Sequence, residues 1–471
     1  MTERNARPGG NLVALGLVQA FRMGAGAAVN VLVMRTVGVE GFGVFAYITT
    51  LVGLLGFLAT MGMDRLLKRE LARAPESAPR WVGAGLAASA GLAVVSAVAV
   101  LGWAFGVDGR PLVVTGAGLA ALALGLQAMA SIPTSYFHAI GRMSLATRPS
   151  ALGRATLVVT AAGLLAAGFD LRAVFVAQVL DGLVTLVAVG WVWGRLPNLG
   201  APTVALPDVR RLLADSVPFG LNALFGSIYL TSSVVLLALF SSETEAGLFR
   251  AAVLLLTLFP IVAETLSNGL YPRMARHLGD PAAARRDLEF AARVLLALSV
   301  PAAVGGVLLA EPLMVLMGGA PYAAAALPFA ILAPVLPLRF LNNATGMTLT
   351  ALDHQGARTR GVMLAAVLNV AANVYVLPRY GAAGAAATTL ATEALLAGWL
   401  QLHVAPLVPG LRFGPALLRV AGPAAAMAGV LRVLPQAPVL LLVALGAGVF
   451  LGLGRVTGAW APTDLRELRR V

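Results

Sequence analysis

The chain has 471 residues, of which 59% are hydrophobic and only 12% are charged, and its mean hydropathy is +0.86. A soluble protein carries about 25% charged residues, so this composition excludes an ordinary water-soluble globule and predicts a polytopic membrane protein. The net charge of +13 is explained better by the placement of cations along the chain than by nucleic-acid binding. Cysteine is absent, which excludes disulfides, thiolate metal ligands and a cysteine nucleophile.

The first apolar segment, residues 11–34, is about 24 residues long, which is enough to cross a bilayer as one helix. Arg22 lies near its centre, where a guanidinium is costly unless it faces protein or water. Steps of three or four residues place four polar or small residues on one helical face: Gln19, Arg22, Gly26 and Asn30. We interpret this face as one wall of a polar cavity.

Fourteen apolar segments follow one another along the chain, which predicts an all-α polytopic membrane protein with about 14 transmembrane helices. They lie near residues 11–34, 43–64, 81–104, 112–134, 150–168, 173–194, 216–240, 246–270, 290–310, 325–350, 358–377, 382–404, 416–433 and 437–457. If they alternate across the membrane, 26 Lys and Arg residues lie on the inward side and six on the outward side. Because cytoplasmic loops carry the excess of Lys and Arg, both termini are predicted to be cytoplasmic in a multi-pass protein of the inner cell membrane.

The longest polar interruption, near residues 197–215, contains three prolines and divides the chain into halves. We expect an N-terminal lobe of six helices at 1–196, a cytoplasmic linker with an interfacial helix at 197–215, a C-terminal six-helix lobe at 216–405, and two further helices with a cytoplasmic tail at 406–471. The outward turn EGFGVF of the first half is similar to TEAGLF of the second, 204 residues later. Such repeats relate two lobes by an axis normal to the membrane.

The turn MRTVGVEGFGVFAY, followed by GMDRLLKRELAR, resembles the opening of the oligosaccharide flippase, or polysaccharide transporter, family. The match rests on Arg35, Gly38, Phe42 and Gly43, with Phe45 at a position where members have tyrosine. A second block resembles the family's Pro-x-Tyr-Gly-x-x-Gly-Ala-Ala pattern, and its matching residues are Asn369, Pro378, Tyr380, Gly381, Gly384, Ala385 and Ala386. The superfamily to which this flippase family belongs also contains multidrug-and-toxin exporters and lipid II flippases.

This resemblance implies two six-helix lobes that enclose a cavity opening alternately to either side of the membrane. It implies a cargo of polyprenyl-diphosphate-linked oligosaccharide, moved from the cytoplasmic to the outer leaflet for surface polysaccharide assembly. The partners implied are this lipid-linked oligosaccharide, the lipid bilayer and glycan polymerase or ligase machinery, with no nucleic acid. Met61 stands where members often have an acidic residue, and Ser232 and Ser233 occupy the stretch of the seventh helix where members often have an Asp. The ion-coupling role of those carboxylates is therefore not carried over.

A diphosphate head group requires cations in the lumen, and arginine can bond two phosphate oxygens while keeping its charge. Arg22, Arg339 and Arg250 are the candidates for this cationic lumen. The alternative is that each arginine forms an ion pair that holds helices together. The acids within segments, which are candidates for such an ion pair or for a protonatable coupling group, are Glu264, Glu393 and Asp181. For Glu264 the two roles are weighed equally, and for the other two the ion pair is favoured.

Four further polar residues within segments are candidates for contact with sugar hydroxyls: Asn222, Tyr229, Asn369 and Asn373. An asparagine in a membrane helix equally often bonds a neighbouring helix. The four histidines have no metal-ligand spacing, and no nucleotide loop or Ser/His/Asp set is present, so the sequence predicts no enzyme, metal or cofactor. Two alternatives remain open: an ion-coupled multidrug or cation exporter, and a membrane-embedded glycan polymerase or ligase.

Overall fold

All regular elements in the described part of the chain are helices, which confirms the predicted all-α membrane fold. The computed structural model describes residues 8–196, 199–257, 280–434 and 437–460, together with 259, 263, 266, 270–271 and 274–276. The chain divides into two compact units, Met1–Val235 and Leu236–Val471. The division expected at the proline-containing stretch 197–215 rests on composition and stays a prediction.

The first unit contains seven α-helices and most of an eighth within its described residues. They are α1 (Pro8–Leu55), α2 (Phe57–Thr60), α3 (Met63–Arg73), α4 (Ala78–Trp103), α5 (Pro111–Ala139), α6 (Met143–Ala166), α7 (Arg172–Gly194) and α8 (Leu206–Phe240). α5 packs on α4 and α7, and α6 packs on α7 and α1. Because α6 and α7 are joined by a short turn, they form an antiparallel pair.

The first two predicted segments are joined by a bent helix instead of a loop. α1 continues through the predicted outward turn and bends at Gly38, whose φ of 71° and ψ of −172° favour glycine. Its helical path ends at Leu55, and the left-handed residues Met61 and Gly62 separate α2 from the basic helix α3. The sequence motif around Gly38 therefore marks a non-helical kink between two helical arms of α1.

The predicted interfacial helix is the beginning of α8, which runs without interruption into the next apolar segment. Leu212 on this helix is fully buried among side chains of the first unit. Arg80 donates two hydrogen bonds to Asp208, the one from Nε at 2.6 Å. Gly83 lies so close to Thr203 that a Cβ would collide with the Thr203 backbone. The end of the linker is therefore bound to the first unit and does not lie freely on a membrane surface.

The second unit contains eight helices that begin within its described residues. They are α9 (Glu243–Leu256), α10 (Pro281–Leu308), α11 (Ala310–Gly318), α12 (Ala326–Leu332), α13 (Val335–Ala351), α14 (Gln355–Val404), α15 (Gly414–Val433) and α16 (Val439–Thr457). α14 joins the predicted eleventh and twelfth segments and bends at Gly381, where φ is 50° and ψ is −136°. α15 and α16 pack together, and α15 also packs on α10.

Nine helices in the described part of the chain are long and apolar enough to cross a membrane, and a bent pair, Ala320–Leu332 with Val335–Ala351, could add a tenth. This number is lower than 14 partly because two of these candidates each have 50 residues, about twice the length of one span. They are Gly24–Arg73, which includes most of α1 with α2 and α3, and Gln355–Val404, which is α14. The region of the seventh and eighth predicted segments is described only in part. The count of 14 therefore stays a prediction.

Candidate functional site

Asp181, in the middle of α7, is the centre of a polar cluster in the first unit. The residue is 2% exposed, and its Oδ2 atom lies 3.0 Å from Nη1 of Arg154 on α6. Gln127 Nε2 on α5 donates to Oδ2 at 3.2 Å, and Thr185 Oγ1 donates to Oδ1 at 3.4 Å. A cation and two neutral donors therefore offset the cost of burying this carboxylate among apolar helices.

The close approach of α6 to α7 depends on Gly153. A Cβ at this position would collide with Thr185 Oγ1 and would lie 2.5 Å from Asp181 Oδ1. Small residues allow membrane helices to approach closely where a larger side chain would hold them apart. Gly153 therefore brings the guanidinium of the next residue, Arg154, within reach of the Asp181 carboxylate.

A cavity of about 170 Å³ adjoins this cluster, and most of the side chains around it are polar. The Arg154 side chain is 28% exposed, whereas the Asp181 side chain is 3% exposed. A solute in the cavity therefore meets the cation more readily than the carboxylate. The lining residues are Gln127, Ala130, Ser131, Thr134, Ser150, Arg154, Asp181 and Thr185.

Arg154 was not among the sequence-based candidates, because it lies near the start of the predicted segment 150–168 and was counted with the inward cations. α6 begins at Met143, so Arg154 lies three turns inside the helix. The residue is 12 positions before the end of α6 and Asp181 is nine positions after the start of α7, which places them about 18 and 14 Å from the connecting turn. The sequence could have indicated this pair, because it places an acid and a cation at similar depth on two adjacent antiparallel segments.

Arg339 and Glu393 form the corresponding ion pair of the second unit, between α13 and α14. Arg339 Nε lies 2.8 Å from Glu393 Oε1. Asn342 Nδ2 donates to Glu393 Oε2 at 2.9 Å and to the backbone carbonyl of Glu393 at 3.1 Å. The Glu393 side chain is 1% exposed and that of Arg339 is 30% exposed. The structure thus contains the ion pair that was the alternative to cargo contact, and contact of Arg339 with a cargo stays a prediction.

Asn369 and Asn373 lie on the first arm of α14 and bond the second arm. Asn369 Nδ2 donates to Thr392 Oγ1 at 3.2 Å, and Thr388 Oγ1 donates to Asn373 Oδ1 at 2.5 Å. Asn373 Nδ2 also donates to Asn369 Oδ1 at 3.0 Å. The two asparagines are 2% and 0% exposed. In this structure they therefore connect the two arms of the bent helix, and sugar contact stays a prediction.

The remaining candidates are less fully described. Arg250 is half-buried on α9 and forms no ion pair with the residues that the structure describes. Three candidates lie on described helices, but their side chains are outside the description: Arg22 on α1, and Asn222 and Tyr229 on α8. Glu264 lies outside the described residues altogether. Lumen binding by these residues, and coupling by Glu264, stay predictions.

The bend of α14 is held by a residue in the first turn of α9. Glu245 Oε2 accepts a hydrogen bond of 2.6 Å from the backbone N–H of Ala382, directly after Gly381. The carboxylate lies so close to Gly381 that a Cβ there would collide with Oε2. An anion at the start of the second arm is favourable because the first N–H groups of a helix lack partners. The glycine of the C-terminal motif therefore makes room for this contact.

Comparisons with known proteins give several matches. The family model described as polysaccharide biosynthesis protein matches residues 9–278. A flippase assigned to low-salt glycan biosynthesis in Haloferax volcanii is 21% identical over 57% of this chain and 57% of its own length. A protein assigned as an O-antigen transporter in Escherichia coli K12 is 25% identical over 48% of this chain and 54% of its own length. The chain thus spans little more than half the length of these relatives.

Solved structures extend the likeness of fold to nearly the whole chain. The lipid II flippase MurJ, in an inward closed conformation, has a TM-score of 0.78 at 12% identity and covers 94% of this chain and 98% of its own. An inward-facing multidrug transporter of the MATE family has a TM-score of 0.62 at 16% identity, over 83% of this chain and 96% of its own. The family model accounts for more than half of the residues, and the chain belongs to the polysaccharide biosynthesis protein family.

Proposed function

We propose that this protein is a flippase that moves polyprenyl-diphosphate-linked oligosaccharide from the cytoplasmic to the outer leaflet by alternating access, for surface polysaccharide assembly. The family match over residues 9–278 carries this proposal. The two curated relatives, a glycan biosynthesis flippase and an O-antigen transporter, support it, as does the MurJ-like fold. We further propose that both termini are cytoplasmic in the inner cell membrane, because 25 cations, Arg154 set aside, lie on the predicted inner side and six on the outer side.

The described geometry of Arg339 is suited to a diphosphate cargo. Its bond to Glu393 uses only Nε, and in the described part of the chain neither Nη atom has a hydrogen-bond partner. A guanidinium has five N–H donors in a planar fork, so four of them remain for phosphate oxygens. Glu393 would then hold the cation in place in the absence of cargo. Arg154, which is 28% exposed in a polar cavity, offers a second cation of the same kind.

A lipid-linked cargo also needs an apolar surface for its polyprenyl chain. The second unit contains an apolar cavity of about 440 Å³ between α10, α15, α16 and their neighbours. Its lining includes Leu255, Leu298, Leu313, Met427, Leu442 and Phe450. Burying one CH₂ group is worth about 0.8 kcal/mol, so even a few isoprene units in such a cavity would contribute substantially to binding. A fully polar cargo would gain no binding energy from this apolar surface.

The motifs of the sequence limit the energy sources that can drive transport. No nucleotide-binding loop is present in the sequence, so the chain does not hydrolyse ATP by itself. An inside-negative membrane potential favours outward movement of an anion by about 2.3 kcal/mol per charge per 100 mV. We propose that potential, an ion gradient or consumption of the glycan by polymerase or ligase machinery drives the flip.

The test is the sidedness of lipid-linked glycan in cells that lack this protein, with variants added back at matched membrane levels. Wild type should clear glycan from the inner leaflet, and the Arg22→Ala/Arg339→Ala variant should not. Arg110→Ala is the matched control, because Arg110 forms its ion pair with Asp108 in a turn between α4 and α5. Unchanged sidedness combined with retention of cationic dyes in the deleted strain would instead indicate the exporter branch of the superfamily.

A further inference from the structure

The second unit contains, besides its apolar cavity, a cavity lined by four arginines. It lies between the start of α10 and the start of α15. Its volume is about 410 Å³, within the range of small-molecule sites. Four guanidinium groups and one carboxylate give its lining a net charge of +3. The lining residues are Arg285, Glu289, Arg293, Gly410, Arg412, Pro415, Ala416 and Arg419. The proposed transport mechanism uses none of them.

The cations are arranged around this cavity by backbone contacts. Gly410, in the turn before α15, has a φ of 77°, and a Cβ there would lie 2.8 Å from Arg285 Nη1. The backbone N–H of Arg412 donates to Glu289 Oε1 at 3.4 Å, which ties the turn to α10. The turn therefore brings the arginines of α15 and of the residues before it close to those of α10.

The one carboxylate of the lining does not satisfy Arg285. Arg285 Nε lies 3.9 Å from Glu289 Oε1, which is an ionic contact too long for a hydrogen bond. This buried Nε has no hydrogen-bond partner in the described residues. Buried donors in proteins are normally satisfied, so the unpaired donor indicates that an acceptor belongs in the cavity.

The position of the cavity indicates a lipid as the source of that acceptor. α10 has 28 residues, about 42 Å, so its first turns extend beyond a hydrocarbon core of about 30 Å. Leu417 and Leu418, next to the cavity on α15, are 43% and 77% exposed, as expected for side chains that face hydrocarbon. The charge asymmetry of the sequence predicts that this end of both helices is on the cytoplasmic side.

We propose that this cavity binds the phosphate-bearing head group of an anionic phospholipid from the cytoplasmic leaflet. Guanidinium groups bind phosphodiesters through paired hydrogen bonds, and basic pockets at the ends of transmembrane helices are suited to such head groups. The exposed leucines beside it would contact the acyl chains. The proposal does not depend on the identity of the cargo.

The test measures the thermal unfolding midpoint of the purified full-length protein in detergent with added phosphatidylglycerol, phosphatidylcholine or inorganic phosphate. Phosphatidylglycerol should raise the midpoint, with an effect that weakens at high salt, and phosphatidylcholine should not. Arg412→Gln/Arg419→Gln replaces two exposed arginines of the cavity, so the fold should be kept. Each arginine near an anionic head group contributes about fivefold to the affinity, so the double variant should bind phosphatidylglycerol about 25-fold more weakly.

Arg69→Gln/Arg73→Gln is the matched control, because these exposed arginines of α3 lie on the same predicted side of the membrane and are not among the residues that line the cavity. Arg285→Gln tests the buried donor and should weaken binding as well. The proposal is overturned if the cavity variants and the α3 variant lose affinity equally. It is also overturned if inorganic phosphate at the same concentration raises the midpoint as much as phosphatidylglycerol, since free phosphate would then be the ligand.

Discussion

Arg339 donates to Glu393 across 54 positions of sequence, and in the other unit Gln127 donates to Asp181 across the same 54 positions. The two pairs are displaced by 212 residues along the chain. Each unit therefore places a buried acid on one helix and a donor on the helix that packs against it at corresponding positions. The cation that pairs with the buried acid lies on a different helix in each unit. In the second unit the donor Arg339 is itself the cation, whereas in the first unit the cation is Arg154 on α6.

The Arg339–Glu393 pair gives the first prediction. Arg339→Gln should lower the free energy of unfolding by about 3 kcal/mol, because Glu393 is left as a buried charge without its cation. We take the lower end of the usual range because the Arg339 side chain is 30% exposed. Adding Glu393→Gln should restore most of the stability, as measured by chemical unfolding in detergent, without restoring glycan transport. Transport by the stable double variant would show that the pair has only a structural role.

The first unit allows the cation to be moved between helices. Arg154→Gln should destabilise the protein by about 3 kcal/mol, because Asp181 is 2% exposed and loses its cation. Gln127→Arg supplies a guanidinium at the position that corresponds to Arg339, so the Gln127→Arg/Arg154→Gln variant should regain about half or more of the loss. The measurement is the unfolding midpoint of Arg154→Gln, of Gln127→Arg and of the double variant. If Gln127→Arg destabilises further in the Arg154→Gln background, the correspondence between the units does not extend to this site.

The two helix bends predict different costs for the same substitution. Gly38→Ala should cost about 1–3 kcal/mol through its backbone conformation alone, since no atom lies within 4 Å of a Cβ at that position. Gly381→Ala should cost roughly 1.5 kcal/mol more, because it also displaces the Glu245 carboxylate from the Ala382 N–H. Glu245→Ala should therefore add little to Gly381→Ala, although it destabilises the wild type. Full additivity of these two changes in unfolding experiments would contradict this account.

The bond between Arg80 and Asp208 predicts how stability depends on pH. Two hydrogen bonds from Arg80 hold the pKa of Asp208 below its ordinary value. A lowered pKa in the folded state means that the contribution is fully present above the ordinary carboxyl pKa and is lost as the pH falls through the folded value. The difference in unfolding midpoint between wild type and Asp208→Asn should thus stay constant from pH 8 to pH 5 and decrease only below about pH 4. A decrease already between pH 7 and pH 5 would exclude Asp208 as its source.

Several properties of this protein followed from the sequence alone. Hydrophobic length and low charge predicted membrane helices, since each segment must bury its own backbone polar groups and can be recognised without its neighbours. The short motifs around Gly38 and Gly381 predicted the family, because glycine is needed where a helix bends sharply. The same reasoning identified Asp181, Glu393 and Arg339 as polar residues in need of partners within the membrane.

The tertiary structure decided which partners they have. Arg154 was counted only with the inward cations, and the start of α6 at Met143 and the approach allowed by Gly153 bring it to Asp181. Likewise, composition could not show that Asn369 and Asn373 bond the second arm of α14. The physical reason is that hydrophobicity is a local property of a segment, whereas an ion pair or hydrogen bond between helices depends on their rotation and separation, which the packing of small side chains determines.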